Sequence, residues 1–344
     1  MTFPRKLPPI LAILGVLAIG ELSLRHWYFQ SVVTLDPVLD ELVAGPGRIR
    51  WHREGDGTSH WIEHGVRRHT PPAQDRPRVL VLGDSYTEAL QVDDGETFAD
   101  VAEARLRAIG SDTQLINEGS STRSVADYIA LAPRFAELFS PTWTVVQLRD
   151  SDVMADAWHP AKTHFERTAG EGLRVVRVAP SARHGFSRIL WDWRQRSALV
   201  GYAVVRLGEL REVASHEPPL FRAAETPRVT WEITSTPEDY PVEAELAALV
   251  DAFDARVTLL YLASFDPTAP LTPTPTETRV SAYAASRGIG FVNTRTLHSE
   301  LRGWSPFGFS NTPYNQGHLN SLGHRLAGDL LAVELRQRGL DGLH

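Results

Sequence analysis

The sequence predicts an α/β fold, a three-layer α/β/α sandwich built on a mostly parallel central sheet. Three observations carry that expectation. Short, uninterrupted apolar runs such as Val79-Leu80-Val81-Leu82 read as strands covered on both faces. They alternate with amphipathic stretches at helical spacing, the pattern of crossover connections in a parallel sheet. Glycine-containing turns stand directly behind them, at Gly83 and Gly119, where such a sheet opens its functional loops.

The first segment, residues 1–30, is expected to be a signal anchor or transmembrane segment. Arg5-Lys6 precede an apolar stretch over 7–24, interrupted by Pro8, Pro9, Glu21 and Ser23. Its unbroken core, 10–20, falls short of a ~20-residue span. The apolar character nevertheless continues through Leu22, Leu24, Trp27, Tyr28 and Phe29, and no small-x-small cleavage site follows. A cleaved signal and a buried or peripheral helix are the alternatives. Either of the first two readings puts the remaining chain outside the cytoplasm, in the periplasm, at the cell surface or secreted.

Residues 31–75 read as a connector and lead-in, because apolar positions are sparse and the polar stretch 52–59 contains Gly55 and Gly57. Pro71-Pro72 close it. A single α/β domain is expected over 76–344. Its elements are strand 78–82, helix 97–109, strand 114–117, helix 124–139, strand 143–148, strands near 173–178, 257–262 and 289–292, and a terminal helix over 321–338. An irregular insertion around 181–240 and a proline-rich loop over 267–275 interrupt the alternation.

Composition excludes several classes. With 42% apolar and 22% charged residues over 344 positions, the chain can bury a full core. Its formal charge of −7 and the lack of basic clusters larger than Arg67-Arg68 argue against a nucleic-acid partner. With no cysteine there can be no disulfide and no thiolate metal site. The histidines have no His-Glu-x-x-His spacing, and there is no phosphate-cradling or dinucleotide glycine motif, so neither a metal nor a cofactor is expected.

Ser85, delivered by a buried strand into the Gly83-Asp84-Ser85 turn, is the candidate nucleophile. Serine needs a neighbouring base and donors aimed at the oxygen that becomes negative. Taken alone, the tripeptide is more often an ordinary strand-to-helix turn capped by Asp84 or Ser85.

The wider pattern is more specific. Residues Val79-Leu80-Val81-Leu82-Gly83-Asp84-Ser85-Tyr86-Thr87-Glu88 resemble the first block of the SGNH, or GDSL-type, hydrolases, and Gly317-His318-Leu319-Asn320-Ser321-Leu322-Gly323-His324 resemble their last block. Asn117-Glu118-Gly119 matches the opening of the second block, and Ser151-Asp152 takes the place of the third. Glu63-His64-Gly65-Val66-Arg67 resembles a Gly-x-Arg segment of membrane-anchored bacterial members. The resemblance implies that Ser85 attacks an ester carbonyl, that His318 acts as general base and then acid, and that the Ser85 N–H is one oxyanion donor.

Three positions depart from that pattern. Asn315 stands where an aspartate usually orients the imidazole, Ser151 replaces the asparagine of the third block, and Thr122 stands where a glycine commonly donates its N–H. Asn315 is therefore the expected, uncharged orienter, with Asp152 a poorer substitute. Gly119, Asn117, Asp84 and Asp152 are expected in supporting roles, with Trp158 and His159 as candidates for substrate contact. His324 is expected to be a packing or surface residue. Trp191, Trp193 and Trp304 are expected mainly to pack, with an acyl- or sugar-binding surface as the alternative.

The expected function is that of a membrane-tethered, extracytoplasmic serine esterase or O-acyltransferase. Its expected substrate is a small acyl ester, by resemblance one carried on a polysaccharide or other glycan. The alternative is a catalytically impaired carbohydrate-binding or envelope-assembly protein that keeps the hydrolase scaffold.

Overall fold

A computed structural model describes residues 7–27, 33–51, 54–121, 123–153, 163–168, 173–177, 197–203, 240–265, 272–301, 304–313 and 315–340. Most of the insertion around 181–240 lies outside the described residues.

Five parallel strands form the central sheet: β5 (Arg78–Gly83), β6 (Gln114–Gly119), β7 (Trp143–Leu148), β10 (Val257–Tyr261) and β11 (Gly290–Asn293), in the order β11-β10-β7-β5-β6. The fold is thus α/β, with a parallel sheet. Val79, Leu80, Val81 and Leu82 are fully buried, as are Val145 and Val146, which is why these strands read as continuous apolar runs.

The sheet divides two apolar cores. On one side Leu80, Leu82 and Val146 pack with α4 (Val125–Phe139), α5 (Val242–Ala252) and α6 (Pro275–Arg287). On the other, Val79, Val81 and Val145 pack with α3 (Phe98–Ala108) and the terminal α7 (Ser321–Gln337). Each of these side chains contributes about 1.5–3 kcal/mol by leaving water.

The strand order reverses direction between β5 and β7. The chain steps from β5 outward to β6, then crosses back to place β7 on the other flank of β5. Such a switch point leaves a crevice beyond the carboxyl ends of the two strands. Ser85 follows one of them and Arg149 to Asp152 follow the other.

The lead-in folds as two hairpins, β1 (Val33–Asp36) with β2 (Glu41–Ala44) and β3 (Gly47–Arg50) with β4 (Thr58–Trp61). Leu39, Val43 and Val66 from this region join the first core. The predicted strand near 173–178 exists as β9 (Leu173–Val176). It pairs antiparallel with β8 (His164–Arg167) in a separate ribbon instead of extending the sheet. Its half-exposed side chains explain why it cannot be a buried central strand.

Helix α1 (Leu7–Trp27) carries Leu11, Ile13, Val16, Ile19 and Leu22 on exposed positions. Against the expectation of a spanning segment, no helix among the described residues is long and apolar enough to cross a membrane. Glu21, which interrupts the apolar run, accepts hydrogen bonds from Ser197 Oγ at 2.8 Å and from the backbone N–H groups of Ala198 and Leu199 at 2.8 and 3.0 Å. It thereby caps the helical turn that begins at 198.

Candidate active site

Strand β5 ends at Gly83, where the chain must fold back sharply. A Cβ there would lie 1.9 Å from Thr87 Oγ1 and 2.6 Å from Gln147 Oε1, so only glycine fits. Asp84 then caps the short helix α2 (Ser85–Glu88), its carboxylate accepting from Tyr86 N–H at 2.9 Å. The cap leaves Ser85 as the first helical residue, with its N–H spent on no acceptor among the described residues. That unspent donor sits beside the Ser85 hydroxyl, the placement an oxyanion hole would require of one.

His318 Nε2 lies 2.8 Å from Ser85 Oγ. Its Nδ1 lies 2.6 Å from Glu54 Oε2, and its backbone N–H donates to Glu54 Oε1 at 2.5 Å. The carboxylate can only accept from Nδ1–H, which leaves Nε2 bare to take the Ser85 proton. Serine, histidine and glutamate therefore form one hydrogen-bonded line, 85 to 318 to 54.

The strand-to-helix segment carrying His318 is held at both ends. Tyr86 Oη donates to the Gly317 carbonyl at 2.9 Å, Gly308 N–H donates to the His318 carbonyl at 2.9 Å, and the Tyr86 ring lies 4.8 Å from the imidazole, centre to centre. Gly317 has φ +88°, and a Cβ on it would fall 2.0 Å from Glu54 Oε1. The glycine is what lets the carboxylate reach the imidazole.

Glu54 sits in the loop between β3 and β4, a region without catalytic signature in the sequence. That loop is pinned by reciprocal bonds between Gly55 and Asn311, from Gly55 N–H to Asn311 Oδ1 at 2.9 Å and from Asn311 Nδ2 to the Gly55 carbonyl at 3.2 Å. The only sequence signal was the polar, glycine-bearing stretch 52–59 itself.

Asn315, expected to orient the imidazole, does not. Its φ of +60° turns the amide away, so that Nδ2 donates to the Phe265 carbonyl at 2.6 Å and Oδ1 accepts from Ser305 Oγ at 2.6 Å. It ties the histidine loop to the end of β10. Asp152 does not serve His318 either. Its Oδ2 accepts from Arg149 N–H at 2.8 Å and from Gln147 Nε2 at 3.2 Å, beneath the serine turn. Burial pushes the carboxyls of Asp84 and Asp152 up, and the neighbouring Asp84 charge raises Asp152 further.

The second-block residues are braces. Asn117 Nδ2 donates to the Thr87 carbonyl at 2.9 Å while its Oδ1 accepts from Gly119 N–H at 3.0 Å, and the Gly119 backbone packs against Glu88. The Gly119 N–H is therefore committed inside the protein. Glu118 meets Arg123 at 2.9 Å in the interior. Ser151 Oγ lies 3.5 Å from Asp152 Oδ1, a long contact with its own neighbour. Thr122, Trp158, His159, Trp191 and Trp193 lie outside the described residues. Trp304 is exposed.

Arg67, the arginine of the Gly-x-Arg segment, is almost wholly buried behind the serine helix. Its guanidinium donates to the carbonyls of Glu88 at 2.9 Å, Ala89, and Val92 at 2.8 Å, closing the turn after α2. Burial pulls its pKa down from the usual arginine value. Next to it, the ligand atoms of His60, His69 and Asp94 lie within 4.8 Å of one another. Asp94 Oδ2 contacts His60 Nδ1 at 2.6 Å and His69 Nε2 at 3.1 Å, while Oδ1 meets Arg67 Nε at 3.4 Å. These contacts make an ion-paired brace in which the Arg67 charge opposes a second cation.

No protein-family model and no curated protein matches the chain. Among solved structures it is similar to that of TesA, at 14% identity and TM-score 0.40, covering 76% of this chain and 98% of that one. It is similar also to a lipase/acylhydrolase from Enterococcus faecalis, at 12% identity and TM-score 0.41, covering 76% and 96%. A third is a catalytic mutant of Axe2, an acetylxylan esterase from Geobacillus stearothermophilus, at 15% identity and TM-score 0.40, covering 77% and 96%.

Proposed function

We propose that the protein is a serine-dependent esterase of the SGNH type, acting through Ser85, His318 and Glu54. The observation that carries this reading is the continuous line of bonds from Ser85 Oγ to His318 Nε2 and from His318 Nδ1 to Glu54, at 2.8 and 2.6 Å. His318 takes the Ser85 proton as Oγ attacks the acyl carbon, and Glu54 stabilises the imidazolium that forms. The Ser85 N–H faces the developing oxyanion. His318 then returns the proton to the departing alcohol, and water or an acceptor hydroxyl releases the acyl group from Ser85.

Hydrolysis and transfer share the first half of that cycle, so an O-acyltransferase working on a glycan hydroxyl belongs to the same proposal. An extracytoplasmic location is part of it too. Its support is Arg5-Lys6 ahead of the apolar stretch and the exposed apolar side chains of α1. Cell fractionation, with the protein in the cytoplasmic fraction, would remove that part alone.

Labelling with a small fluorophosphonate tests the chemistry. The wild type is expected to label, Ser85→Ala not at all, and His318→Ala at a rate lower by about 1,000-fold or more. A folded wild type that does not label would return the chain to a binding or assembly role.

A further inference from the structure

The end of β7 places a charge in the same crevice. β5 and β7 run side by side, with Leu82 opposite Val146, and Arg149 directly follows the end of β7, as Ser85 follows that of β5. The Arg149 guanidinium carbon lies 4.1 Å from the centre of the Tyr86 ring, the ring that also sits 4.8 Å from the His318 imidazole. Tyr86 is the residue after the nucleophile. One aromatic ring thus carries the catalytic base and a cation.

Arg149 is half-buried, yet its guanidinium donates no hydrogen bond and makes no ion pair among the described residues. Its own backbone is fully engaged, with N–H to Asp152 Oδ2 and the carbonyl accepting from Asp152 N–H. The acidic neighbours are otherwise occupied. Asp150 accepts from Thr274 Oγ1 at 2.6 Å and from Tyr261 Oη, on the β10 side. Asp84 and Asp152 lie beneath the serine turn, bonded to backbone N–H groups; the Arg149 charge acts on both carboxyls and lowers them against the effect of burial, but neither reaches the guanidinium as an ion pair. A guanidinium stacked on a ring keeps its in-plane N–H groups free, a geometry that suits two oxygens of one anionic group. These donors remain open to the crevice, where an anionic ligand can take them in place of water.

Taking the serine-esterase reading as given, we propose that Arg149 is the anion-recognising residue of this site, and that the substrate is an ester bearing a carboxylate close to the scissile bond. The guanidinium holds that carboxylate while Tyr86 keeps it at a fixed distance from Ser85 and His318. A single positive charge so close to the nucleophile selects by charge as well as by shape.

Two matched ester pairs test it: 4-nitrophenyl butyrate against mono-4-nitrophenyl succinate, and an O-acetylated methyl glucoside against the corresponding O-acetylated methyl glucuronoside. The readout is the ratio of kcat/KM for the charged ester to that for the neutral one, in wild type, Arg149→Gln and Arg149→Lys. The wild type is expected to favour the charged member of at least one pair by about tenfold or more. Arg149→Gln is expected to lose that preference and Arg149→Lys to keep part of it. The wild-type preference is also expected to shrink with added salt.

No preference in wild type for either pair overturns the inference, whatever the variants do. So does a preference that survives in Arg149→Gln, or an equal fall for both esters, which would make Arg149 an oxyanion donor or a packing residue. Turnover without preference removes this assignment alone. Absence of both Ser85 labelling and turnover removes the esterase reading, and this assignment with it.

Discussion

The two segments that meet at His318 are built in opposite ways. The serine arrives on β5, whose residues Val79 to Leu82 have no exposed surface, so its position is set by close packing on both faces of the sheet. Glu54 arrives on a hairpin loop of the lead-in and is held by polar contacts: two N–H groups of His318, the reciprocal Gly55–Asn311 bonds, and the close approach allowed by Gly317. The difference shows that Ser85 can be anchored by the core while Glu54, at the other end of the same line of hydrogen bonds, is anchored by polar contacts across more than 250 residues of sequence. The geometry around His318 then depends on the lead-in as much as on the sheet.

Breaking the polar half should have the largest effect. Glu54 accepts from both the backbone N–H and Nδ1–H of His318, and a glutamine offers only one acceptor oxygen for those two donors. Glu54→Gln is expected to lower kcat by about 1,000- to 10,000-fold, the scale seen when the acid of such a triad is made an amide. Asn315→Ala should keep the wild-type shape of the pH–rate profile, because Asn315 bonds Ser305 and Phe265 instead of the imidazole. Kinetics in which Asn315→Ala behaves like Glu54→Gln would reverse the assignment.

A smaller effect is expected from Gly317→Ala. The positive φ and the 2.0 Å approach to Glu54 Oε1 force either the loop or the carboxylate to move. Steady-state assays should show kcat/KM reduced by about 10- to 100-fold, with labelling of Ser85 slowed in proportion, since each tenfold corresponds to about 1.4 kcal/mol of lost transition-state stabilisation. Wild-type rates in this variant would mean that Glu54 does not depend on the glycine.

The core half can be probed at His324, whose ring stacks on Phe98 and whose Nδ1 accepts from Phe98 N–H at 3.3 Å. Burial lowers its pKa to about 3. The unfolded chain, with an ordinary histidine pKa near ~6.5, binds the proton first on acidification, so this residue's contribution is full above that value and is lost as pH falls toward about 3. Denaturant titrations should show the stability difference between wild type and His324→Asn shrinking as pH falls below ~6.5, by up to about 1.4 kcal/mol per pH unit. A difference that is flat with pH would mean that His324 titrates normally in the fold.

Much of the sheet was legible because its strands are buried on both faces and so appear as unbroken apolar runs, from Val79 to Leu82 and from Trp143 to Leu148. The ribbon strand at 173–176 is apolar except for Arg174, which faces solvent, and it pairs with 164–167 instead of joining the sheet. Helix α6 was hidden behind the prolines of 267–275. Its cap, Thr274 accepting from Glu277 N–H with Pro275 at the first turn, is a local signal that a proline-rich reading passed over.

The chain itself determined the chemistry it offers: a serine just past the end of β5, a histidine after Gly317 just ahead of the terminal helix, and an apolar pattern that makes a parallel sheet the economical burial of its core. Those are local facts, set by side-chain type, spacing and turn chemistry. Which carboxylate serves the histidine was not local. Glu54 and Asn315 lie 264 and three positions from His318, and only the packing of the lead-in hairpin against the last loop brings the distant acid to 2.6 Å and turns the near amide away. Electrostatics and hydrogen bonding act through space, so the partner of His318 was decided by tertiary structure and not by proximity in sequence.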